Sequence, residues 1–416
     1  MKKNFLAGAL TTCLLMTGCG NNSGNAETLD IKAKEVSIET FSVATGSDEI
    51  QMEEPPKVTK AGIDWSRAPR FDNYASLIEY LNDSKKNLQT YQPVVFVNGF
   101  NPDNNYVAKV RGFWTLRYTN YGNGCMLYEI TNYPGERVAW AYLHNDTSFL
   151  SNEEKQLYNV AVQIVNEAKN FSSDALYQEL YLHDAIIERA TYYTEHPQKR
   201  FSRFQTATGA LIDGKANCQG YTDAFYMLAT MCGFKVDKVV GDSVNSAKNT
   251  WEGHTWNTIS FDKYNTSYFV DVTWDDEVNN FNGEIFNGYI YFNTSTNVAG
   301  ADHRWYSDNV PKNLPADPDG FNYYHYRAKE YNVKDEYFGG WCRSATDALQ
   351  VIAERIARQG YGLSRMEAPY DNYYGNQSNA INYLKNLLSN SYGWRGRFSL
   401  ISARRGNYMY ITVRAY

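Results

Sequence analysis

The chain has 416 residues, which allows roughly two to four domains. Hydrophobic residues make up 43% and charged residues 21%, which excludes a wholly disordered or fibrous protein. The formal net charge is −6, so no overall basic field draws the chain to nucleic acid, and we expect no nucleic-acid partner. The only apolar run typical of export or membrane insertion is N-terminal, which excludes a polytopic membrane protein.

The N-terminal segment has the pattern of an export signal. Lys2 and Lys3 precede an apolar stretch, residues 5–16, that is too short to span a bilayer comfortably. The stretch ends in LMTGC and resembles a bacterial lipoprotein signal, in which residues 1–18 are removed and Cys19 is lipidated. Diacylation of Cys19 predicts an extracytoplasmic protein anchored to the bacterial cell membrane by lipid. An ordinary cleaved signal peptide is the alternative.

A polar, acidic stretch follows at 19–62 and predicts a flexible tether, because it can bury little apolar surface. Residues 63–150 then read as an N-terminal α/β module. Its expected elements are a helix at 74–86, a strand at 92–98, a helix at 103–113 and a hairpin at 115–130 that turns around Gly122 and Gly124.

The middle of the chain, residues 151–310, begins with helices. Ser151 and Glu154 form a capping box before the first of them, and a second helix is predicted at 174–192. These helices lead to the segment GALIDGKANCQGYTDAF, in which the candidate chemistry starts.

Cys218 is the candidate nucleophile. A loop precedes it, and a helical pattern starts at this cysteine and ends near Gly233. Unpaired N–H groups and the dipole at a helix N-terminus stabilise an anion, which favours the reactive thiolate. Cys125, Cys232 and Cys342 read instead as structural residues. Four scattered cysteines do not predict a dense disulfide framework, although an exported protein can pair some of them.

His254 and Asp271 follow Cys218 in the order that a nucleophile, base and orienting acid need. His254 is predicted to open a strand and Asp271 to lie on the next one. If the turn between these strands centres on Asp262–Lys263, the two side chains lie opposite each other on one face of the sheet. The carboxylate then bonds one imidazole nitrogen and leaves the other for the thiol.

The C-terminal stretch, residues 311–416, reads as a second α/β module. Its expected elements are a helix at 347–360, a strand at 361–368, a helix at 378–390 and a hairpin at 397–416 with its turn near Gly406. The order helix, strand, helix, strand, strand therefore occurs twice. We hypothesise two copies of one module flanking the middle domain, with two unrelated α/β pieces as the alternative.

Residues 170–306 resemble the transglutaminase-like superfamily, a branch of the papain-like cysteine enzymes. The resemblance rests on GALIDGKANCQGYTDAF, EGHTWN and YFVDVTWDD, together with YLHDAIIERATYY upstream and ADHRW downstream. It implies an α+β fold with a papain/transglutaminase-like core, in which the nucleophile helix packs on an antiparallel sheet. It also implies a catalytic triad of Cys218, His254 and Asp271. The sequence contains no zinc spacing, no phosphate-binding loop and no nucleotide fingerprint, so no cofactor or metal is expected.

The resemblance implies attack by the thiolate on an amide to give a thioester. Water as the acceptor makes the protein an extracytoplasmic cysteine hydrolase acting on protein or peptide substrates, including those of the cell wall. The alternatives are a transamidase that joins Gln and Lys side chains, and a non-catalytic cell-surface scaffold. The backbone N–H of Cys218 is the expected first oxyanion donor. Ile212 occupies the place where papain-type enzymes have a Gln donor.

Two further groups of residues surround the candidate triad. Asp275–Glu277 match no calcium-loop spacing and are expected to form a solvated turn. Trp251, Trp256 and Trp274 bracket His254 and Asp271, and at least two of them are expected in the core. His303 and Arg304 belong to the ADHRW segment of the family resemblance and are expected to fix the end of the domain.

Overall fold

The computed structural model describes residues 62–109, 116–193, 202–245, 250–276, 289–307, 310–317, 321, 337–405 and 408–416. Residues 1–61, which hold the expected signal peptide, Cys19 and all but the last residue of the tether, lie outside the described residues. Within those ranges, no helix has the length and apolar character that crossing a membrane requires.

The first unit is a four-stranded sheet covered by two helices. Its elements are β1 (Arg70–Phe71), α1 (Tyr74–Lys86), β2 (Tyr91–Phe96), α2 (Asn104–Lys109), β3 (Arg117–Gly122) and β4 (Cys125–Glu129). The strand order is β1-β2-β4-β3; β1 and β2 are parallel and the other pairs are antiparallel. The predicted helix, strand and hairpin are confirmed here, and Gly122 and Gly124 both have the positive φ of a tight turn (81° and 76°).

The central unit packs helices on one antiparallel sheet. The helices are α3 (Pro134–His144), α4 (Asn152–Phe171), α5 (Ala175–Arg189) and α6 (Cys218–Cys232), with short α7 (Val272–Asp275) and α8 (Thr296–Ala299). The strands are β5 (Lys235–Asn245), β6 (Thr250–Phe261), β7 (Thr266–Val270) and β8 (His303–Trp305), in the order β7-β6-β5-β8. The predicted α+β core, with the nucleophile helix on an antiparallel sheet, is confirmed.

One hydrophobic core joins α6 to this sheet and to the surrounding helices. Tyr221, Phe225 and Leu228 of α6 are fully buried in it, together with Ile259 of β6. Buried side chains of α3, among them Val138, belong to the same core. Helix α3 therefore packs into the central core, although it precedes residue 151.

The third unit comprises β9 (Tyr337–Trp341), α9 (Ala345–Gln359), β10 (Gly362–Pro369), α10 (Gln377–Asn386), β11 (Phe398–Arg405) and β12 (Tyr408–Ala415). Its strand order is β9-β10-β12-β11, with β9 and β10 parallel and the other pairs antiparallel. The first and third units thus share the order of their elements, the order of their strands and the strand directions. The predicted helices and strands of this stretch are confirmed; Gly406 lies outside the described residues.

The predicted register between β6 and β7 is wrong. Asn257 pairs with Val270, so the turn covers residues 262–265, where Asn265 takes up the left-handed conformation (φ 49°). His254 lies inside β6 rather than at its start. Asp271 lies one residue beyond β7, at the N-cap of α7.

Candidate active site

Cys218 is the first residue of α6, as predicted from the sequence. Asn217 caps this helix: its side-chain oxygen accepts hydrogen bonds from the N–H groups of Gln219 (3.0 Å) and Gly220 (3.4 Å). The N–H of Cys218 itself has no acceptor among the described residues. The half-buried thiol therefore lies beside a free N–H donor at the positive end of the helix dipole.

The start of α6 is held against the preceding segment at close range. The N–H of Asn217 donates to the carbonyl of Phe204 (2.9 Å). Gly220 lies so near that a Cβ on it would be 2.6 Å from the same carbonyl oxygen. A side chain at position 220 would push the helix start away, so this glycine fixes the position of Cys218.

His254 and Asp271 meet despite the corrected register. Nε2 of His254 lies 2.6 Å from Oδ2 of Asp271, and the two residues are 7% and 1% exposed. This contact leaves Nδ1 of His254 for the thiol. Burial lowers the pKa of His254, but the charge and hydrogen bond of Asp271, followed by hydrogen bonding to Cys218, raise it to about 10. The structure therefore brings the three predicted residues together.

Asp271 has a second role besides its contact with His254. Its Oδ1 accepts the N–H groups of Thr273 (3.0 Å) and Trp274 (3.2 Å) and so caps α7. Its Oδ2 is shared between His254 and His303, whose Nε2 lies 3.0 Å away. Burial raises the pKa of Asp271, but the two histidines outweigh it and hold that pKa well below its usual range. Asp271 is therefore ionised and fixed by four donors.

His303 is the site residue that sequence reasoning missed. It is 2% exposed and lies on β8, which pairs with β5. The sequence indicated only that His303 fixes the end of the domain, yet its ring centroid lies 5.4 Å from that of His254. The signal was present as the ADHRW segment, but no spacing rule connects β8 to Asp271.

One expectation about neighbouring residues is wrong, and the one about the tryptophans holds in part, since Trp256 is buried and Trp274 packs against a buried cluster. Asp275 does not belong to a solvated turn: it is 1% exposed, and its Oδ2 lies 3.3 Å from Nε2 of the buried His183. Of the three tryptophans, Trp256 alone is buried. Trp274 is half-buried, 4.6 Å from the ring of His303. Trp251 is 36% exposed and stacks under an arginine of β8, so it lies at the surface near the site.

Three polar side chains belong to segments next to the nucleophile. Nε2 of Gln205 donates to Oε1 of Gln219, which follows Cys218, over 2.5 Å. Tyr192 is 45% exposed, and its backbone pairs with that of Ala216, two residues before the cysteine. Partial burial and then the charges of Cys218 and Asp271 raise the pKa of Tyr192 to about 12. Tyr192 thus presents a protonated hydroxyl at the edge of the site.

A metal ion would compete with the hydrogen bonds of this site. In the described ranges, the group of His, Cys, Asp and Glu side chains close enough to share an ion is His254, Asp271 and His303, with ligand atoms within 4.8 Å of one another. Nε2 of each histidine already bonds to Oδ2 of Asp271, and an ion would displace the protons in these two contacts. Cys125, Cys218, Cys232 and Cys342 are all free thiols in the structure.

Residues 159–272 match the model of the Transglutaminase-like superfamily. The matched segment contains Cys218, His254 and Asp271, and the recognition made from the sequence is confirmed. The central unit resembles a transglutaminase-like domain over these residues, and its α+β fold is of the transglutaminase-like type. No curated protein matches the chain.

Solved structures resemble the chain only distantly. One is described as a TGase, with 13% identity and a TM-score of 0.25, covering 46% of this chain and 53% of that one. Another is the periplasmic domain of TgpA from Pseudomonas aeruginosa bound to ethylmercury, with 14% identity, a TM-score of 0.24 and coverage of 38% and 65%. A third, from Cytophaga hutchinsonii, is described as a candidate cysteine protease, with 10% identity, a TM-score of 0.21 and coverage of 38% and 61%. The chain thus spans between 53% and 65% of the length of these proteins.

Proposed function

We propose that the protein is an extracytoplasmic cysteine hydrolase of the transglutaminase-like type that cleaves amide or peptide bonds through a thioester on Cys218. One observation carries the proposal: the buried contact of 2.6 Å between His254 and Asp271, beside a cysteine at a helix N-terminus. These parts supply a nucleophile, a base and a group that orients the base.

The first half of the reaction forms the thioester. The raised pKa of His254 keeps the imidazole protonated at neutral pH, which favours a thiolate on Cys218. The sulfur attacks the amide carbonyl carbon, and the N–H of Cys218 donates to the developing oxyanion. The carbon–nitrogen bond then breaks, and the imidazolium of His254 gives its proton to the departing amine.

The second half releases the acyl group. Neutral His254 takes a proton from water, the oxygen attacks the thioester carbon, and the carbon–sulfur bond breaks. The thiolate and imidazolium are restored together with a carboxylic acid product. An amine in place of water would give transamidation with the same residues, so the acceptor decides the class of enzyme.

The first test is alkylation of the full chain with iodoacetamide at pH 5–9, followed by peptide mass analysis. We expect Cys218 to react fast well below pH 8, and His254→Ala to shift its pH dependence upward. Cys218→Ala should remove the reaction. Cys232 at the other end of α6 is the internal control, because burial raises the pKa of its thiol. Reaction of Cys218 no faster than an ordinary thiol of pKa about 8.5 would refute an activated nucleophile.

The second test identifies the acceptor. The protein is incubated with a denatured protein substrate and a fluorescent primary amine, and new termini and bound amine are both measured. Hydrolysis predicts Cys218-dependent new termini or free carboxylates without bound amine. Cys218-dependent attachment of the amine to Gln side chains would instead make the protein a transamidase.

The location is proposed from the N-terminal sequence. We expect Cys19 to be diacylated and to hold the protein on the outer face of the bacterial membrane, next to protein or cell-wall peptide substrates. Metabolic labelling with a fatty-acid analogue should mark the protein, and Cys19→Ser should abolish the label. Equal labelling of both forms would show that lipid is not attached at Cys19.

A further inference from the structure

We propose that His303 is a positioning residue: as an imidazolium it holds Asp271 in place and shares the negative charge of Asp271 with His254. The inference rests on the proposed function only in taking Cys218 and His254 as the reacting pair. Four observations support it, namely the partners of each ring nitrogen, the burial, the anchoring of the second carboxylate, and the sharing of one carboxylate oxygen.

Both ring nitrogens of His303 face carboxylate oxygens. Nε2 lies 3.0 Å from Oδ2 of Asp271, and Nδ1 lies 2.8 Å from Oδ1 of Asp302. An ionised carboxylate only accepts hydrogen bonds, so each nitrogen must carry a proton, and a ring with two N–H groups is positive. His303 is 2% exposed, so water does not compete for either contact. Burial lowers the pKa of His303, but these two hydrogen bonds outweigh it and raise that pKa.

The second carboxylate is anchored independently of the triad. The hydroxyl of Tyr291 donates to Oδ2 of Asp302 over 2.6 Å. Burial and the charge of Asp302 raise the pKa of Tyr291 far above its ordinary value, so the phenol stays a donor. A continuous chain of hydrogen bonds therefore runs from Tyr291 through Asp302 and His303 to Asp271.

Asp271 thus serves two cations through one oxygen. The titratable groups that face His303 are Asp271, His254 of β6, Tyr291, and Asp302, which precedes His303 in the sequence. The two carboxylates stabilise its charge, whereas protonated His254 opposes it. By reciprocity, the charge on His303 makes the proton of His254 easier to release to the departing amine. His303 therefore weakens the effect of Asp271 on the pKa of His254, while it fixes the position of the Asp271 carboxylate.

The test uses the full chain and iodoacetate, whose negative charge makes its reaction with Cys218 depend on the imidazolium of His254. The rate is measured from pH 5 to 11 for the wild type, for His303→Gln and for His144→Gln, which changes an exposed histidine of α3. At high pH the rate falls as His254 loses its proton. We expect His303→Gln to shift this fall to a pH about half a unit higher or more. His144→Gln should leave the profile unchanged. A changed melting temperature with an unchanged profile would reduce His303 to a structural residue.

A second measurement needs no variant. In the wild-type protein labelled with ¹⁵N-histidine, both ring nitrogens of His303 should show imidazolium shifts at pH 7, with the signals assigned through the backbone. A neutral tautomer at pH 7 would overturn the proposal even if the variant does not fold. Neither experiment uses a substrate, so failure of the hydrolase proposal and failure of this one are distinguishable.

Discussion

The two carboxylate oxygens of Asp271 contact the backbone of α7, His254 and His303. Oδ1 is committed to the backbone of α7, and Oδ2 therefore faces the rings of His254 and His303. The helix cap fixes the carboxylate before any substrate binds, and preorganisation of this kind limits the rearrangement needed during reaction. The place of Asp271 beyond the end of β7 fits the same role, because a residue that caps a helix lies outside the preceding strand.

A second buried group of titratable side chains lies behind the site. His183 of α5 contacts Asp275 in the last turn of α7. One turn earlier on α5, Glu179 is fully buried, and its Oε2 accepts from Nδ2 of Asn293 over 2.8 Å. Burial raises the pKa of Glu179 to about 8. Glu179 is therefore mainly protonated at neutral pH, while His183, with its pKa raised to about 9, is mainly charged.

The first prediction concerns Glu179→Gln. The unfolded chain releases the Glu179 proton near its ordinary pKa of 4.5, and the folded protein keeps it until about pH 8. The contribution of Glu179 to the free energy of unfolding is therefore fully present below pH 4.5. It falls as pH rises toward 8, by up to about 1.4 kcal/mol per pH unit. Because Gln does not titrate, the variant should gain stability over the wild type as pH rises.

The measurement is urea unfolding at pH 5, 6, 7 and 8, with exposed Glu79→Gln as the control. The comparison is cleanest between pH 5 and 6.5, below the ordinary pKa of His183, because the raised pKa of His183 adds a loss of the same sign between 6.5 and 9. A stability difference between Glu179→Gln and the wild type that stays constant with pH would contradict the shifted pKa of Glu179.

At the scale of elements, Gly220 sets the distance between α6 and the segment before it. A Cβ at this position would lie 2.6 Å from the carbonyl of Phe204 and 2.8 Å from Cβ of Ala216. We predict that Gly220→Ala destabilises the protein by about 1–3 kcal/mol. It should also slow alkylation of Cys218, because the start of the helix must shift.

Gly253→Ala is the matched control for this prediction. Gly253 precedes His254, and a Cβ there would meet nothing within 4 Å. We expect its melting temperature and alkylation rate to equal those of the wild type. If Gly220→Ala matches Gly253→Ala in both measurements, the close approach does not position the nucleophile.

The elements that could be predicted are those with local signals. Ser151 and Glu154 form the expected capping box at α4, and Gly233 ends α6 with a φ of 107°. The register of β6 and β7 was missed because the turn at 262–265 is longer than the assumed hairpin and ends in left-handed Asn265. Its length depends on Asn265 tolerating a positive φ, which residue spacing alone does not reveal.

The side chains that could not be predicted are those with partners on distant elements. Asp275 looked solvated because its neighbours in sequence are acidic, yet its partner His183 lies on α5. The sequence predicted that His303 only fixes the end of the domain, because β8 follows a long intervening segment. In both cases a buried charge is tolerated because tertiary structure supplies a countercharge, and no local pattern encodes that pairing.

At the scale of the whole molecule, buried charges join the first unit to the nucleophile helix. Glu136 of α3 lies between Lys85 of α1 (2.8 Å) and Lys238 of β5 (2.7 Å). Lys238 also contacts Asp223 of α6 over 2.6 Å. Burial raises the pKa of Glu136, but the charges of Lys238 and Lys85 outweigh it and lower that pKa to about 2. Two cations and two anions therefore balance in a region with little solvent.

The network also reaches the backbone around the site. Oδ2 of Asp223 accepts the N–H groups of Gly135 (3.0 Å) and Ala207 (2.9 Å). The third unit has a separate contact with the central one, since Tyr410 of β12 packs against the cluster that contains Tyr291 and Phe292. Both flanking units thus contact elements that hold the candidate site.

The last prediction follows from the charge network. Lys85→Met leaves buried Glu136 with one cation fewer, and breaking a buried ion pair typically costs about 3–5 kcal/mol. Lys86→Met is the matched control. The adjacent Lys86 has a side chain that is 40% exposed and pairs with Asp237, which is 12% exposed (3.0 Å). Because the charge of Lys86 remains in contact with water, its removal should cost about 0–1 kcal/mol. Urea unfolding followed by tryptophan fluorescence and circular dichroism measures both variants. We expect Lys85→Met to destabilise the first and central units together and to slow alkylation of Cys218. Equal losses in the two variants would show that the buried network does not couple these units.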